Sequence, residues 1–283
     1  MAKRIFLFIV TNLAIVLTIS IILSILGVQP GAGLEGLAVF SLIWGMGGAL
    51  ISLQMSRWIA KRATGVRLID GRTGRPELDA LYTTIEHLTR QSNLPMPQVG
   101  VYDSPEVNAF ATGPSKSRSL VAVSTGLLRS MRPNEIEGVL AHEVAHIGNG
   151  DMVTMTLLQG VINAFVIFFA RLIAGFLSRS NDDRPNFMVV IALQMVLGLL
   201  GSLVTAWFSR QREFRADAGG ALLSGRENMI GALRRLMANR NMVDTSHQAL
   251  ATMKINGAPG GWMALRSTHP PLEARIAALE QRR

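Results

Sequence analysis

Apolar positions along this chain fall into two patterns. The first is a set of long runs without a single charged residue: Ile5–Leu26 with 22 residues, Gly36–Ser56 with 21, Met152–Ala170 with 19 and Phe187–Phe208 with 22. A helix rises about 1.5 Å per residue, so each run reaches across the roughly 30 Å of a bilayer's hydrocarbon core. Four transmembrane helices are therefore expected. The third run leaves two readings open, a span or a long helix partly packed on protein, because Gln159 and Asn163 interrupt it one turn apart and Arg171 follows. Lys3 and Arg4 precede the first run, which is longer than a secretory signal's apolar region and ends without a convincing small-residue cleavage site, so it reads as an uncleaved anchor.

The second pattern fills 57–151 and 209–283, where apolar residues recur at helical or strand spacing. Leu78, Leu81, Tyr82, Ile85 and Leu88 form a helical stripe behind Pro76, with His87 off the stripe and so expected in solvent. Gln98–Tyr102, Ala109–Thr112 and Leu120–Ser124 are short β-rich runs separated by Asp, Ser, Pro and Gly, which predicts a small antiparallel sheet. A second helix starts at Pro133 and carries Ile136, Leu140 and Val144 as far as Gly148, leading directly into the third uncharged run. Helices are expected over Ser209–Leu223 and Asn228–Met237, a loop at Asn256–Gly261, and a closing helix from Pro271 through Leu272, Ile276 and Leu279.

Composition sharpens this picture in two ways. Charged residues are 17% of the chain, below the roughly 25% of ordinary soluble domains. The net charge of +9 is concentrated beside the uncharged runs, at Lys3 and Arg4, at Arg57, Lys61, Arg62 and Arg67, and at Arg210, Arg212 and Arg215. Such flanks mark the cytoplasmic side of a membrane and bind anionic lipid, so both termini are expected in the cytoplasm. No aromatic–basic interleaving accompanies the charge, and no nucleic-acid partner is expected. The chain has no cysteine, which excludes disulfides, thiolate metal sites and a thiol nucleophile.

The remaining chemistry belongs to His and carboxylates. His142-Glu143-Val144-Ala145-His146 is an H-E-x-x-H pattern, and two of the five histidines are spent on it. Residues i and i+4 share a helix face, so two imidazoles there can converge on one zinc while Glu143 reaches its water as general base. A catalytic zinc wants a third protein ligand. Glu213 is the best carboxylate, with Asp217 one turn further on as acceptor for an imidazole N–H. The other reading of the same stretch is an exposed Glu–Arg ladder with Arg210, Arg212 and Arg215. His247, between Ser246 and Gln248, reads as a surface residue.

His142-Glu143-x-x-His146 followed by Glu213-x-x-Ala216-Asp217 resembles the HtpX-type membrane metallopeptidases, gluzincins related to the Ste24 and Oma1 proteases. The likeness extends to Asn108-Ala109-Phe110-Ala111-Thr112-Gly113, to Ser267-Thr268-His269-Pro270-Pro271 with Arg275-Ile276, and to the placement of the four apolar runs. It implies an integral membrane zinc endopeptidase of the bacterial inner membrane, with one Zn²⁺ held by His142, His146 and Glu213. It also implies a cytoplasmic active site and a role in quality control of membrane proteins. Asn108–Gly113 is either a sheet edge that pairs with an extended substrate or a covered strand of the core. His269 is either a donor to the developing oxyanion, with Arg275 fixing its place, or a polar residue at a helix start. Two rivals are a membrane scaffold or transporter, and a Ste24-like prenyl-protein processing enzyme, which would need more spans.

The expected fold class is α+β, mainly α, with four transmembrane helices and a cytosolic zincin-like domain bearing a small antiparallel sheet. Residues 1–56 would supply two N-terminal spans and 152–208 a membrane hairpin. The catalytic domain would then be split between 57–151 and 209–283.

Overall fold

A computed structural model describes residues 33–177, 187–239 and 269–281. The run Ile5–Leu26, His247, the loop Asn256–Gly261, and Ser267 and Thr268 lie outside the described residues. In chain order the elements are helix α1 (Gly33–Thr64), strand β1 (Arg67–Ile69), α2 (Pro76–Gln91), β2 (Gln98–Tyr102), β3 (Ala109–Ser115), β4 (Arg118–Ser124), α3 (Thr125–Ser130), α4 (Pro133–Asn149), α5 (Asp151–Leu177), α6 (Phe187–Ser224), α7 (Arg226–Ala238) and α8 (Leu272–Gln281).

Three of the described helices, α1, α5 and α6, are long and apolar enough to cross a membrane. Four were expected, and the first of those runs is among the residues not described. Residues up to Leu53 and Thr154–Thr205 form one compact unit; Gln54–Val153 and the residues from Ala206 on form a second. In the first unit, α1 and α5 approach closely through small residues. A Cβ on Gly45 would collide with the Ala164 backbone, and one on Gly160 would meet Met46 Sδ at 2.7 Å. Close backbone approach of this kind is how helices pack where no water drives them together. Phe165, Phe169 and Phe176 of α5 and Leu199, Leu200 and Val204 of α6 point outward, as residues facing lipid would.

The second unit holds the sheet, which is mixed and not antiparallel as expected. The strand order is β1-β2-β4-β3, with β2 parallel to β4 and the other two pairings antiparallel. Burial decides this. Every residue of β4 after Arg118 is buried, so β4 takes a central position, and the tight β3–β4 hairpin leaves β3 at the edge. Strand β1 was not foreseen; it is three residues long, and its Arg67-Leu68-Ile69 carries no alternation to read. The short helix α3 was also not foreseen. It begins where Ser124 Oγ accepts from Leu127 N at 3.0 Å, a side-chain cap at the end of a strand.

Helix α2 buries Leu78, Leu81, Ile85 and Leu88 and leaves His87 in solvent, as its stripe predicts. Leu81, Ile85 and Leu88 join Val139, Leu140, Val144 and Ile147 of α4, Met229, Leu233 and Leu236 of α7, and Leu272, Ile276 and Leu279 of α8 in one core. Helix α4 is therefore buried on nearly all sides. It does not run on into α5: Gly150 adopts a left-handed conformation (φ 69°) and closes the helix, and α5 begins at the next residue.

Glu135 ties the start of α4 to α7. Its Oε2 accepts from Arg132 N at 2.8 Å and from Arg235 Nε at 3.1 Å. Burial raises its pKa, but these donors outweigh burial and hold it below the ordinary carboxylate value. The depressed value means that the stabilisation is present at neutral pH and fades as acid protonates the carboxylate. Glu135→Ala should cost about 1–2 kcal/mol, read as a fall in Tm of a few degrees at pH 7 and a smaller fall at pH 4. An equal fall at both pH values would refute the electrostatic part of this account.

Candidate metal centre

The H-E-x-x-H residues lie on α4 with His142, Glu143 and His146 all buried. Glu213 and Asp217 come from α6, which continues unbroken past the end of its apolar run at Phe208. The glycines Gly219 and Gly220 let α6 lie against α4. A Cβ on Gly220 would meet His142 N at 3.1 Å, and one on Gly219 would meet Ala145 Cβ at 2.9 Å. Larger residues there would hold the carboxylates away from the imidazoles.

One ligand atom each from His142, His146 and Glu213 converge within 4.8 Å of one another. His146 Nε2 lies 3.1 Å from His142 Nε2 and 3.5 Å from Glu213 Oε1, and His142 Nε2 lies 3.4 Å from Glu213 Oε2. Ligands at 2.0–2.1 Å around a tetrahedral metal stand about 3.3–3.4 Å apart, and these approaches, which end on both oxygens of the Glu213 carboxylate, are of that size. The donor chemistry agrees. His142 Nδ1 faces Asp217 Oδ1 at 3.0 Å and His146 Nδ1 faces Asp151 Oδ2 at 2.6 Å. With both Nδ1 protons donated to carboxylates, two lone pairs and an anion converge on one point, and such a set calls for a cation.

Glu213 is fully buried, so it belongs to no exposed Glu–Arg ladder, although Arg212 Nη2 does reach its Oε1 at 3.0 Å. Burial pushes its pKa up; the neighbouring His269 and His146, followed by His142, outweigh that and hold it well below the ordinary range. His142 shows the converse. Burial disfavours its charged form, yet Asp217 and Glu213 push it up to about 9. The field at this point favours positive charge.

Arg275, from α8, is fully buried and forks onto Asp217, with Nε to Oδ2 at 2.8 Å and Nη2 to Oδ1 at 2.6 Å. Its Nη1 stands 3.5 Å from Glu213 Oε2. Burial raises the Asp217 pKa, and the guanidinium outweighs it and holds the group at about 2. Arg275 was expected to fix the place of His269; the fork shows that it holds Asp217, the carboxylate facing His142. His269 Nδ1 lies 3.1 Å from Glu213 Oε2, so the structure brings His269 to the metal centre.

Strand β3 carries Ala109, Phe110, Ala111 and Thr112 at the sheet edge, with only Ala111 partly exposed. Asn108 just before it is pinned at three points: Nδ2 donates to Tyr102 Oη at 3.1 Å, the backbone N–H donates to Ser124 Oγ at 3.1 Å, and its carbonyl accepts from Ser124 N at 2.9 Å. Phe110 packs with Ala60, Tyr102, Leu120 and Ala122. The strand is thus an edge in its backbone and core in its side chains. Three contributors escaped sequence reasoning: Asp151 behind His146, Tyr102 behind Asn108, and the Gly219–Gly220 pair. Only the glycines had a signal, as small residues one turn beyond Ala216.

Residues 77–283 match the model of peptidase family M48. The chain is 50% identical to Protease HtpX of Idiomarina loihiensis over 99% of its own length and 100% of that protein's. It is 50% identical to Protease HtpX of Pasteurella multocida, covering 98% of each chain, and 47% identical to a Protease HtpX homolog of Methylacidiphilum infernorum, covering 99% of each. Among solved structures it resembles S. mikatae Ste24p, with a TM-score of 0.68 at 19% identity over 98% of this chain and 65% of that one. At that identity the likeness speaks for the fold. Agreement with proteases along essentially the whole length, joined to a buried His-His-Glu group and helices fit to cross a bilayer, leads to one conclusion: the chain belongs to peptidase family M48 and is a membrane metallopeptidase.

Proposed function

We propose that the protein is a zinc endopeptidase that hydrolyses misfolded or damaged membrane proteins at the cytoplasmic face of a bacterial inner membrane. The single observation that carries the zinc reading is the buried convergence of His142, His146 and Glu213, one ligand atom from each lying within 4.8 Å of the others. These three residues would hold the ion. Bound zinc supplies Lewis acidity, polarising a scissile carbonyl and acidifying water.

The chain's own residues do the rest. Glu143 takes the proton of the attacking water and returns it to the leaving amine. His269 donates to the oxygen on which negative charge develops. Asp217, locked by Arg275, keeps the His142 imidazole in the tautomer whose Nε2 lone pair faces inward. Strand β3, from Asn108 to Thr112, offers its backbone to an extended substrate, and the clamp of Tyr102 and Ser124 on Asn108 supports that role. The cytoplasmic placement rests on the basic residues Arg57, Lys61 and Arg62 near the end of α1 and Arg210, Arg212 and Arg215 beyond the apolar part of α6.

The test uses detergent-purified full chain and an unfolded membrane-protein substrate. Chelation should abolish cleavage, and about one zinc per chain should restore it. Cleavage that survives complete zinc depletion, or zinc bound equally by wild type and His142→Ala, overturns the reading.

A further inference from the structure

We infer that Asp151 is a positioning residue of the metal centre, holding His146 as Asp217 holds His142. The inference rests on the reading of His146 as a metal ligand. Asp151 is the first residue of α5 and is buried. Its Oδ2 lies 2.6 Å from His146 Nδ1, a short charge-assisted hydrogen bond.

This contact depends on the break between α4 and α5. In an uninterrupted helix, a residue five positions after His146 would point about 140° away from it. Gly150, at φ 69°, ends α4, and the chain turns so that Asp151 comes back beside the imidazole. Nothing in the spacing of the H-E-x-x-H motif or of Glu213 points to this residue.

The two imidazoles are then supported alike, each by an aspartate with an arginine behind it. The supports differ in depth. Arg275 is sealed in the core and grips Asp217 with two hydrogen bonds, whereas Arg215 is exposed and its Nη2 reaches Asp151 Oδ1 at only 3.7 Å. An exposed, long ion pair contributes little, so Asp151 itself carries the task of orienting His146. By accepting the Nδ1 proton it fixes the tautomer, aims the Nε2 lone pair at the metal and raises its basicity; losing such a support typically weakens metal binding about 10–100-fold.

The rival is a merely structural role for an aspartate at a helix start, where its charge suits the helix dipole. Serine starts helices as well as aspartate but is too short to reach His146 Nδ1 from this position, so it separates the two roles. Zinc affinity would be measured on the purified full chain by competition with a chelator, beside Tm of the zinc-free protein. Asp151→Ala should lose both zinc affinity, by about 10–100-fold, and some thermal stability. Asp151→Ser should regain the stability and still bind zinc about 10–100-fold more weakly, and Asp151→Asn, which keeps an acceptor, should fall between Ser and wild type. Arg215→Ala should change zinc affinity less than about threefold. Zinc binding by Asp151→Ser as tight as wild type overturns the inference. If Ala and Ser variants do not fold, Asp151→Asn is decisive: affinity within about twofold of wild type overturns it, and a larger loss supports it. His146→Ala distinguishes this failure from that of the parent reading, since equal zinc binding by His146→Ala and wild type would refute His146 as a ligand.

Discussion

Glu143→Gln should leave the fold and the zinc content intact and lower peptide hydrolysis by about 10²–10⁴-fold, the usual worth of a positioned general base. The amide keeps the shape of the carboxylate, so the buried packing of α4 around Glu143 is undisturbed. It cannot accept the water's proton, and the chain contains no cysteine to open a thiol-based route. His142, His146 and Glu213 remain in place, so zinc per chain should match wild type while turnover collapses. Measured together, zinc content and cleavage separate loss of chemistry from loss of the site. Cleavage at more than a tenth of the wild-type rate would remove Glu143 from the mechanism.

Arg275→Met should be the most damaging change to stability, about 3–5 kcal/mol. The side chain it removes is wholly buried between two buried carboxylates, gripping Asp217 and standing 3.5 Å from Glu213. Without it, Asp217 stays charged in the core without its arginine, and Glu213 keeps only Arg212. In the wild type, the depressed pKa of Asp217 means that its stabilisation is fully present above the ordinary value of 3.8 and is lost only as pH falls towards about 2. In the variant, the Asp217 pKa rises and the acid limit of stability moves to higher pH. Lysine should rescue poorly, because a single ammonium cannot reproduce the two-pronged grip on Asp217. Denaturation followed against pH, with zinc content, reads both effects. Unchanged stability together with unchanged zinc content would show that the fork is dispensable.

The candidate ligands were legible because they are local or nearly so. His142 and His146 are one turn apart, and Glu213 and Asp217 repeat that spacing on another helix. The helical stripe of Leu81, Ile85 and Leu88 and the cores of β2 and β4 were likewise carried by periodicity. Sheet order was not legible. The parallel pairing of β2 with β4 depends on which strand is buried on both faces, and that is a property of the assembled unit. Strand β1 is too short to leave a pattern.

Arg275 and Asp151 mark the boundary most clearly. Arg275 lies 58 residues from Asp217 in sequence, and only the packing of α8 brings it to the metal centre. Asp151 is five residues from His146, yet the contact exists because one glycine adopts a left-handed conformation. The amino-acid sequence alone determined the residue chemistry: the charge-free runs, the H-E-x-x-H pair, the carboxylates one turn apart and the absence of thiols. Tertiary structure decided which polar groups meet. Hydrophobic periodicity is written in nearest neighbours along the chain, whereas buried hydrogen bonds and ion pairs form only where separate elements are brought into register by the core.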